Sequence, residues 1–289
     1  MKNRLRKTKC KSAIGRMGHL ARSVAWFGAM VLICASALAQ DLFVSANDAN
    51  GGYIYKFTWD GVRSTFASGL SNPQGLAFDN AGNLFVADSG SIYKFDPAGH
   101  RSSFASGLSS PVGLACDLAG DLFAADSGSG NIYKFTSGGA QSTFASGLNG
   151  PFGLAADAAG NLFVTDSLDI VGPGHGHVYK FAPDGVRTTF ATGFIAPEGL
   201  ALDSAGNLFL ADGGDIDGLG AAIYKFTPAG HQHTFVSAKT FCIGPGLAID
   251  SANDLFVPDW CFGKIYKFGP HGRRTTFAQS GGPFLAFHQ

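Results

Sequence analysis

Three groups of residues have types and spacing suited to chemistry. Glu198, in the segment APEGLALDSAGN (196–207), is the only glutamate in the chain, and the other twenty acids are aspartates. A lone carboxylate can act as a general base, or give oxygen to a metal or a ligand. The run DGGDIDG (212–218) sets Asp212, Asp215 and Asp217 at a spacing that resembles a calcium loop, without the distal bidentate glutamate of an EF-hand. The triplet HGH carries His175 and His177, which with a third ligand could hold zinc. The cofactor these groups would take is a divalent cation, Ca2+ or Zn2+. Each also has a structural reading: a polar side chain tolerated at a channel mouth, turn-forming aspartates, and histidines incidental to a glycine-rich loop. No nucleophile-elbow sequence and no P-loop occurs.

The elements that must position these residues begin after residue 39. Residues 1–39 open with basic side chains from Lys2 to Arg22, followed by the apolar run VAWFGAMVLICASALA (24–39). This run ends in Ala37-Leu38-Ala39, a small-x-small pattern, and is shorter than the about 20 residues of a membrane span. It reads as a secretory signal cleaved before Gln40, which makes the protein secreted or periplasmic and free of the membrane after cleavage. A retained anchor is the rival reading.

The whole chain balances 21 basic against 21 acidic residues. Eight basic residues and no acid lie in the first 39, so the remainder carries 13 against 21, a net charge of −8. That balance argues against nucleic acid as a partner, because phosphate binding needs basic patches. It suits a soluble exported protein, expected to be a monomer.

Residues 40–289 form an internal repeat. LF recurs at Phe43, Phe85, Phe123, Phe163, Phe209 and Phe256, and YKF ends at Phe57, Phe95, Phe135, Phe181, Phe226 and Phe268. GLA recurs at Gly75, Gly113, Gly153, Gly199 and Gly246, with a degraded copy, PFLAFHQ, at 283–289. One unit reads as four short strands: GLAFD (75–79), LFVAD (84–88), IYKF (92–95) and SSFAS (102–106), bounded by Gly, Pro, Asp and Ser. Six such units predict an all-β fold, a six-bladed β-propeller with four antiparallel strands per blade. The chain starts on a second strand, DLFVS (41–45), and ends on a lone first strand, FLAFH (284–288). The N-terminal strands therefore pair with the C-terminal strand and close the ring. The sixfold lysine of YKF reads as a packed, solvated lysine rather than a functional basic ring. The aspartates ending the second strands (Asp88, Asp126, Asp166, Asp212, Asp259) are expected to cap the turns that follow them.

The stretch PQGLAFDNAGNLFVADSGSIYKFD resembles an NHL-type repeat and the related propellers of the senescence-marker-protein and gluconolactonase superfamily. The resemblance covers essentially all of 41–289. It implies a propeller and leaves open whether the protein is a hydrolase, a lyase or a binding platform. In lactonases of that superfamily a glutamate, two asparagines and an aspartate hold a metal near the starts of the inner strands. The matching position, the x of P-x-G, reads here as Gln74, Val112, Phe152, Glu198 and Phe284, with the GPG copy lacking it. Only Gln74 and Glu198 could offer oxygen.

Alternate loops reach opposite faces of a propeller. The AGN, PAGH and PDGV turns repeat closely, whereas SLDIVGPGHGH (167–177), GGDIDGLGAA (213–222) and SAKTFCIGPG (237–246) diverge on the other face. That variable face is the predicted recognition surface, with Gln74, Glu198, His175 and His177 as ligand-binding residues and Glu198 as the catalytic candidate. Cys242 and Cys261 flank one blade's inner strands on this face and could form a disulfide worth about 3 kcal/mol, leaving Cys116 as a buried free thiol. Two functions follow. One is a propeller that binds a small molecule or a protein through this face. The other is a divalent-metal-dependent hydrolase or lyase acting on a lactone, an ester or a sugar-like substrate.

Overall fold

Short runs rich in aromatic and branched residues, bounded by Gly, Pro, Asp and Ser, make every described element a short strand, the second strands being apolar on both faces. A computed structural model describes residues 40–166, 176–214, 220–238, 240–279 and 282–288. Within them the strands run in chain order. They begin with β1 (Leu42–Asp48), β2 (Gly51–Phe57), β3 (Arg63–Leu70), β4 (Pro73–Phe78), β5 (Leu84–Asp88), β6 (Ser91–Phe95), β7 (Arg101–Ser106) and β8 (Pro111–Cys116). They continue with β9 (Leu122–Asp126), β10 (Asn131–Phe135), β11 (Gln141–Ala145), β12 (Pro151–Ala156), β13 (Leu162–Asp166), β14 (Gly176–Phe181), β15 (Arg187–Phe194) and β16 (Pro197–Leu202). The last are β17 (Leu208–Asp212), β18 (Ala222–Phe226), β19 (Gln232–Ser237), β20 (Ala248–Ile249), β21 (Leu255–Asp259), β22 (Lys264–Phe268), β23 (Arg274–Gln279) and β24 (Phe284–Phe287).

These strands make six antiparallel sheets of four. Blade 1 is β24-β1-β2-β3, and blades 2 to 6 are β4–β7, β8–β11, β12–β15, β16–β19 and β20–β23. No described residue is helical. The fold is the six-bladed propeller that the repeat predicts. The ring closes through β24, which pairs with β1 in the register Leu42↔Phe287, Phe43↔Ala286, Val44↔Leu285 and Ser45↔Phe284.

The core lies between blades. Ala77, Phe85 and Ile92 of blade 2 pack with Leu114, Leu122 and Phe135 of blade 3, and each junction repeats the pattern. At the closing junction Leu42, Val44, Phe57 and Leu285 pack against Ala248, Phe256 and Ile265. Phenylalanines from the second and fourth strands meet edge-on, as in Phe85–Phe104 at 4.8 Å and Phe256–Phe277 at 4.9 Å.

The sixfold lysine serves this packing, as the sequence predicts. Lys94 Nζ lies 5.2 Å from the Phe85 ring, Lys225 Nζ 4.8 Å from the Phe209 ring and Lys267 Nζ 5.2 Å from the Phe256 ring. The same ammonium groups reach turn carboxylates, Lys225 to Asp203 at 3.2 Å and Lys267 to Asp254 at 2.6 Å.

Leu285 is 5% exposed in the closing strand, whereas Leu118, on a turn, is 68% exposed. Leu285→Ala is expected to cost about 3 kcal/mol and lower Tm by roughly 6–12 °C. Leu118→Ala should leave Tm within about 2 °C. Scanning calorimetry of the two variants measures the worth of the closing junction.

Candidate functional site

The inner strands converge on the axis, and a ring of glycines permits the convergence. A Cβ on Gly75 would overlap the carbonyl oxygen of Val112. The same holds for Gly113 against Phe152, Gly153 against Glu198, Gly199 against Pro245 and Gly246 against Pro283. Each glycine thus receives the residue one position before the next blade's glycine. This sequence of contacts corrects the P-x-G alignment at two places. Pro245 occupies the x position of blade 6, and Pro283 occupies that of blade 1. Phe284 therefore stands where the other blades carry glycine, since it is the Cα of Phe284 that Gly246 meets. In the last repeat proline stands at x and phenylalanine replaces the glycine, so PFLAFHQ read alone as P-x-G puts Phe284 one place too early.

Phe284 uses that place to fill the channel. Its ring stacks on Phe152, from the blade directly opposite, with centroids 5.9 Å apart and planes 22° apart. The stack borders a cavity of about 210 Å³ whose other walls include the glycines and Leu76, Leu114 and Leu154. Access from the variable face is therefore restricted by two aromatic rings. Sequence reasoning treated both phenylalanines as members of one series and did not see that they touch.

Glu198 is the second residue of β16, at the x position, and half-buried. Its backbone is pinned, because its carbonyl accepts a 2.8 Å hydrogen bond from Thr165 Oγ1, which in turn accepts one of 2.7 Å from Gly153 N. Its carboxyl rests against the turn after β17, where a Cβ on Gly213 would lie 3.7 Å from Oε2. Burial, and secondarily the neighbouring Asp212 carboxylate, push the Glu198 pKa up from 4.5 to about 7. Gln74, at the matching place in blade 2, is also half-buried, and Val112 is buried.

The aspartates that end the second strands do other work than expected. They anchor the loop leading into the same blade's first strand, sixteen and seventeen residues earlier. Asp88 accepts from Ser71 N and Asn72 N, Asp126 from Ser109 N and Ser110 N, and Asp166 from Asn149 N and Gly150 N. Asp212, 1% exposed, accepts from Ile195 N at 3.2 Å and Ala196 N at 2.7 Å, with Gly214 N at 3.4 Å. Among the described residues only Asp126 adds a substantial bond to the following turn, from Ser129 Oγ at 2.9 Å. The turn-capping expectation is therefore corrected at Asp88 and Asp259, and the loop after Asp166 lies outside the described residues. Of the predicted calcium loop, Asp212 has its oxygens engaged by backbone N–H groups, and Asp215 and Asp217 lie outside the described residues. His177 lies in β14 with its ring stacked on Tyr179 at 5.4 Å, and His175 lies outside the described residues.

Cys242 and Cys261 form a disulfide, with their Cα atoms 5.6 Å apart. It ties the loop leading into blade 6 to the β21–β22 connection. That connection carries two exposed aromatics that the sequence reading did not single out, Trp260 and Phe262, 68% and 64% exposed. Cys116 is free and half-buried at the opposite mouth of the channel, in a pocket of about 410 Å³ rimmed by Asp79, Asp117 and Asp157. Burial first, then Asp79 and Asp117, push its thiol up to about 12, so it remains protonated at neutral pH.

No family model matches the chain, and no curated protein matches it in sequence. Solved structures do match in fold. A chain of a nidogen/laminin complex superposes with a TM-score of 0.73 at 19% identity, covering 87% of this chain and 98% of that one. A gluconolactonase from Xanthomonas campestris gives 0.66 at 17% identity over 84% and 86% of the two chains. A streptogramin B lyase gives 0.60 at 14% over 83% and 74%. At such identities these likenesses establish the fold: one propeller frame carries a chain of a nidogen/laminin complex, a gluconolactonase and a streptogramin B lyase.

The Glu198 carboxyl keeps its proton to about pH 7 in the folded chain and loses it near 4.5 once unfolded. Unfolding therefore releases a proton between these values, and stability falls as pH rises through that window. Relative to Glu198→Gln, which lacks the titration, the wild type is expected to lose Tm progressively between pH 4.5 and 7 and then level off. Parallel melts of the two proteins across that range check it.

Proposed function

We propose that this protein is an exported propeller that binds a partner or ligand carrying a basic group through its variable face, with Glu198 as the charged anchor. The observation that carries this reading is the state of Glu198: a half-buried carboxyl, desolvated, seated beside Asp212 and an aromatic channel plug. An incoming guanidinium or ammonium would stabilise the ionised form that burial disfavours, and Phe152, Phe284 and Val112 would receive its apolar part. The Phe152–Phe284 stack supports a ligand that sits on the face rather than one that threads the channel. Trp260 and Phe262 extend the same face with the aromatic surface common at protein interfaces. Among solved structures of this fold, one forms part of a nidogen/laminin complex, in keeping with a partner-binding role.

A second reading rests on the same carboxyl. A pKa near 7 suits a general base, and the fold is shared with a gluconolactonase, a streptogramin B lyase and a calcium-binding regucalcin. Under it, Glu198 would act beside a divalent cation on a lactone, an ester or a sugar-like substrate. Against it stands the ring of x positions, where Val112, Phe152, Pro245 and Pro283 offer no side-chain oxygen and Gln74 is the one other polar member. Export belongs to the first proposal: N-terminal sequencing of the mature protein should begin at Gln40.

The test is a binding titration with a short peptide of Arg and Leu and its counterpart with Glu in place of Arg. The basic peptide should bind preferentially, more tightly at pH 8 than at pH 6, and Glu198→Gln should weaken it by roughly 30-fold, as loss of one partner of a buried charge pair does. Equal binding of both peptides, or no effect of Glu198→Gln, removes the anchor role. Stoichiometric metal in the purified protein that disappears in Glu198→Ala, together with lactone opening, would establish the second reading instead.

A further inference from the structure

Blade 6 departs from its neighbours at one buried carboxylate. In blades 2 to 5 the second-strand aspartate takes a short hydrogen bond from the backbone N–H sixteen residues earlier: Asn72 at 2.5 Å, Ser110 at 2.5 Å, Gly150 at 2.6 Å and Ala196 at 2.7 Å. The equivalent residue in blade 6 is Ile243, which makes an isolated bridge to the Asp259 backbone instead. Asp259 keeps only the bond from Cys242 N to Oδ1, at 3.2 Å. Asp259 is 1% exposed, and its Oδ2 has no hydrogen-bond partner among the described residues. A buried oxygen in that condition is costly and is placed to accept a partner.

Beside this carboxylate lies the disulfide. The Sγ atoms of Cys242 and Cys261 and a carboxylate oxygen of Asp259 all lie within 4.8 Å of one another. We propose that Cys242, Cys261 and Asp259 form a redox-gated site for a thiophilic divalent cation, Zn2+ in the first instance. In the oxidised chain each sulfur is bonded to the other, so neither is a thiolate. Reduction by a dithiol transfers two electrons and two protons to the disulfide, giving two thiols, while the reductant becomes its own disulfide. Zn2+ then displaces the two thiol protons and takes two sulfurs and the Asp259 oxygen.

The geometry admits this with small motions. Zinc ligands at about 2.3 Å for sulfur and about 2.0–2.2 Å for oxygen lie roughly 3.3–3.8 Å from each other around a tetrahedral ion. That spacing falls inside the 4.8 Å envelope already present. Cys261 is exposed, which leaves the fourth position open to water. The ion would hold the same two segments that the disulfide holds, the blade 6 lead-in loop and the connection bearing Trp260 and Phe262. The aromatic edge would thus be kept in place before the thiols are oxidised as well as after. This inference is independent of the reading of Glu198.

The experiment uses the full chain with Cys10, Cys34 and Cys116 replaced by Ser, reduced by a phosphine and titrated with Co2+ and then Zn2+. The expected result is one ion per chain, a thiolate-to-cobalt charge-transfer band that Zn2+ bleaches, and slower reoxidation of the pair when Zn2+ is bound. Asp259→Asn, which retains an acceptor for Cys242 N, should weaken the ion by at least roughly 10–100-fold, the range that even outer-sphere partners command. A folded reduced chain with no charge-transfer band overturns the proposal. So does equal affinity in Asp259→Asn, and so does unfolding on reduction, since the site needs a folded dithiol state.

Discussion

The whole architecture depends on how closely six inner strands can approach one axis. Each must pass within contact distance of the next blade's backbone, and the carbonyl of one strand projects into the space that a Cβ on its neighbour would fill. Glycine at 75, 113, 153, 199 and 246 removes that obstacle. The blades then lie near enough for their outer faces to bury phenylalanine between them, and the inter-blade cores form as a consequence. The sixth junction solves the problem differently. There Phe284 replaces glycine, and its ring turns inward to meet Phe152 across the channel. The closing blade is therefore also the one that plugs the axis.

A second constraint fixes the loops on the variable face. A chain entering an inner strand leaves two backbone N–H groups pointing into the blade, and burying them without partners is costly. The aspartate at the end of the adjacent strand answers both at once in blades 2 to 5, and the carboxylate is stabilised in turn by the donors it receives. The arrangement explains how fully buried acids persist at positions such as Asp126 and Asp212, each 1% exposed. It also explains why such acids are poorly placed to give up their oxygens to a cation.

Much of this was legible in the sequence, and the reasons it stopped are physical. LF, YKF and GLA mark positions where one face of a strand must be apolar, and a strand has only two faces, so the repeat translates directly into sheets. The ring closure followed from strand order, with DLFVS and FLAFH as the unpaired ends. Setting Cys242 and Cys261 on one face of one blade made a disulfide possible, and the structure forms it. What the pattern did not contain was distance across the ring. Nothing in PFGLAA or PFLAFH says that their phenylalanines stack, because they are 132 residues apart in the chain and related only by the sixfold geometry. The role of the aspartates was misjudged for a similar reason. A turn immediately downstream is local and visible, whereas a loop sixteen residues upstream becomes a neighbour only after the hairpin folds back.

The larger departures from symmetry gather on one face, and the scaffold favours that. On the opposite face the Asp-x-Ala-Gly-Asn turns, with Asp in place of Asn in blades 3 and 6, and the YKF lysines lock each blade to itself through bonds such as Asn83 to Asp79 and Lys225 to Asp203. On the variable face blades 2 to 5 share the aspartate anchor and the proline that starts the inner strand, and the loops around them vary. Blade 5 keeps the anchor and adds Glu198. Blade 1, where Ala46 stands at the anchor position, gives up glycine for Phe284. Blade 6 keeps half of the anchor and replaces the rest with a sulfur bridge. Each change is tolerated because the strand beneath it is already held by its inter-blade core. A ring whose stability is spread over six near-equal junctions can thus spend one rim on recognition, and the residues that break the repeat are the ones to examine for function.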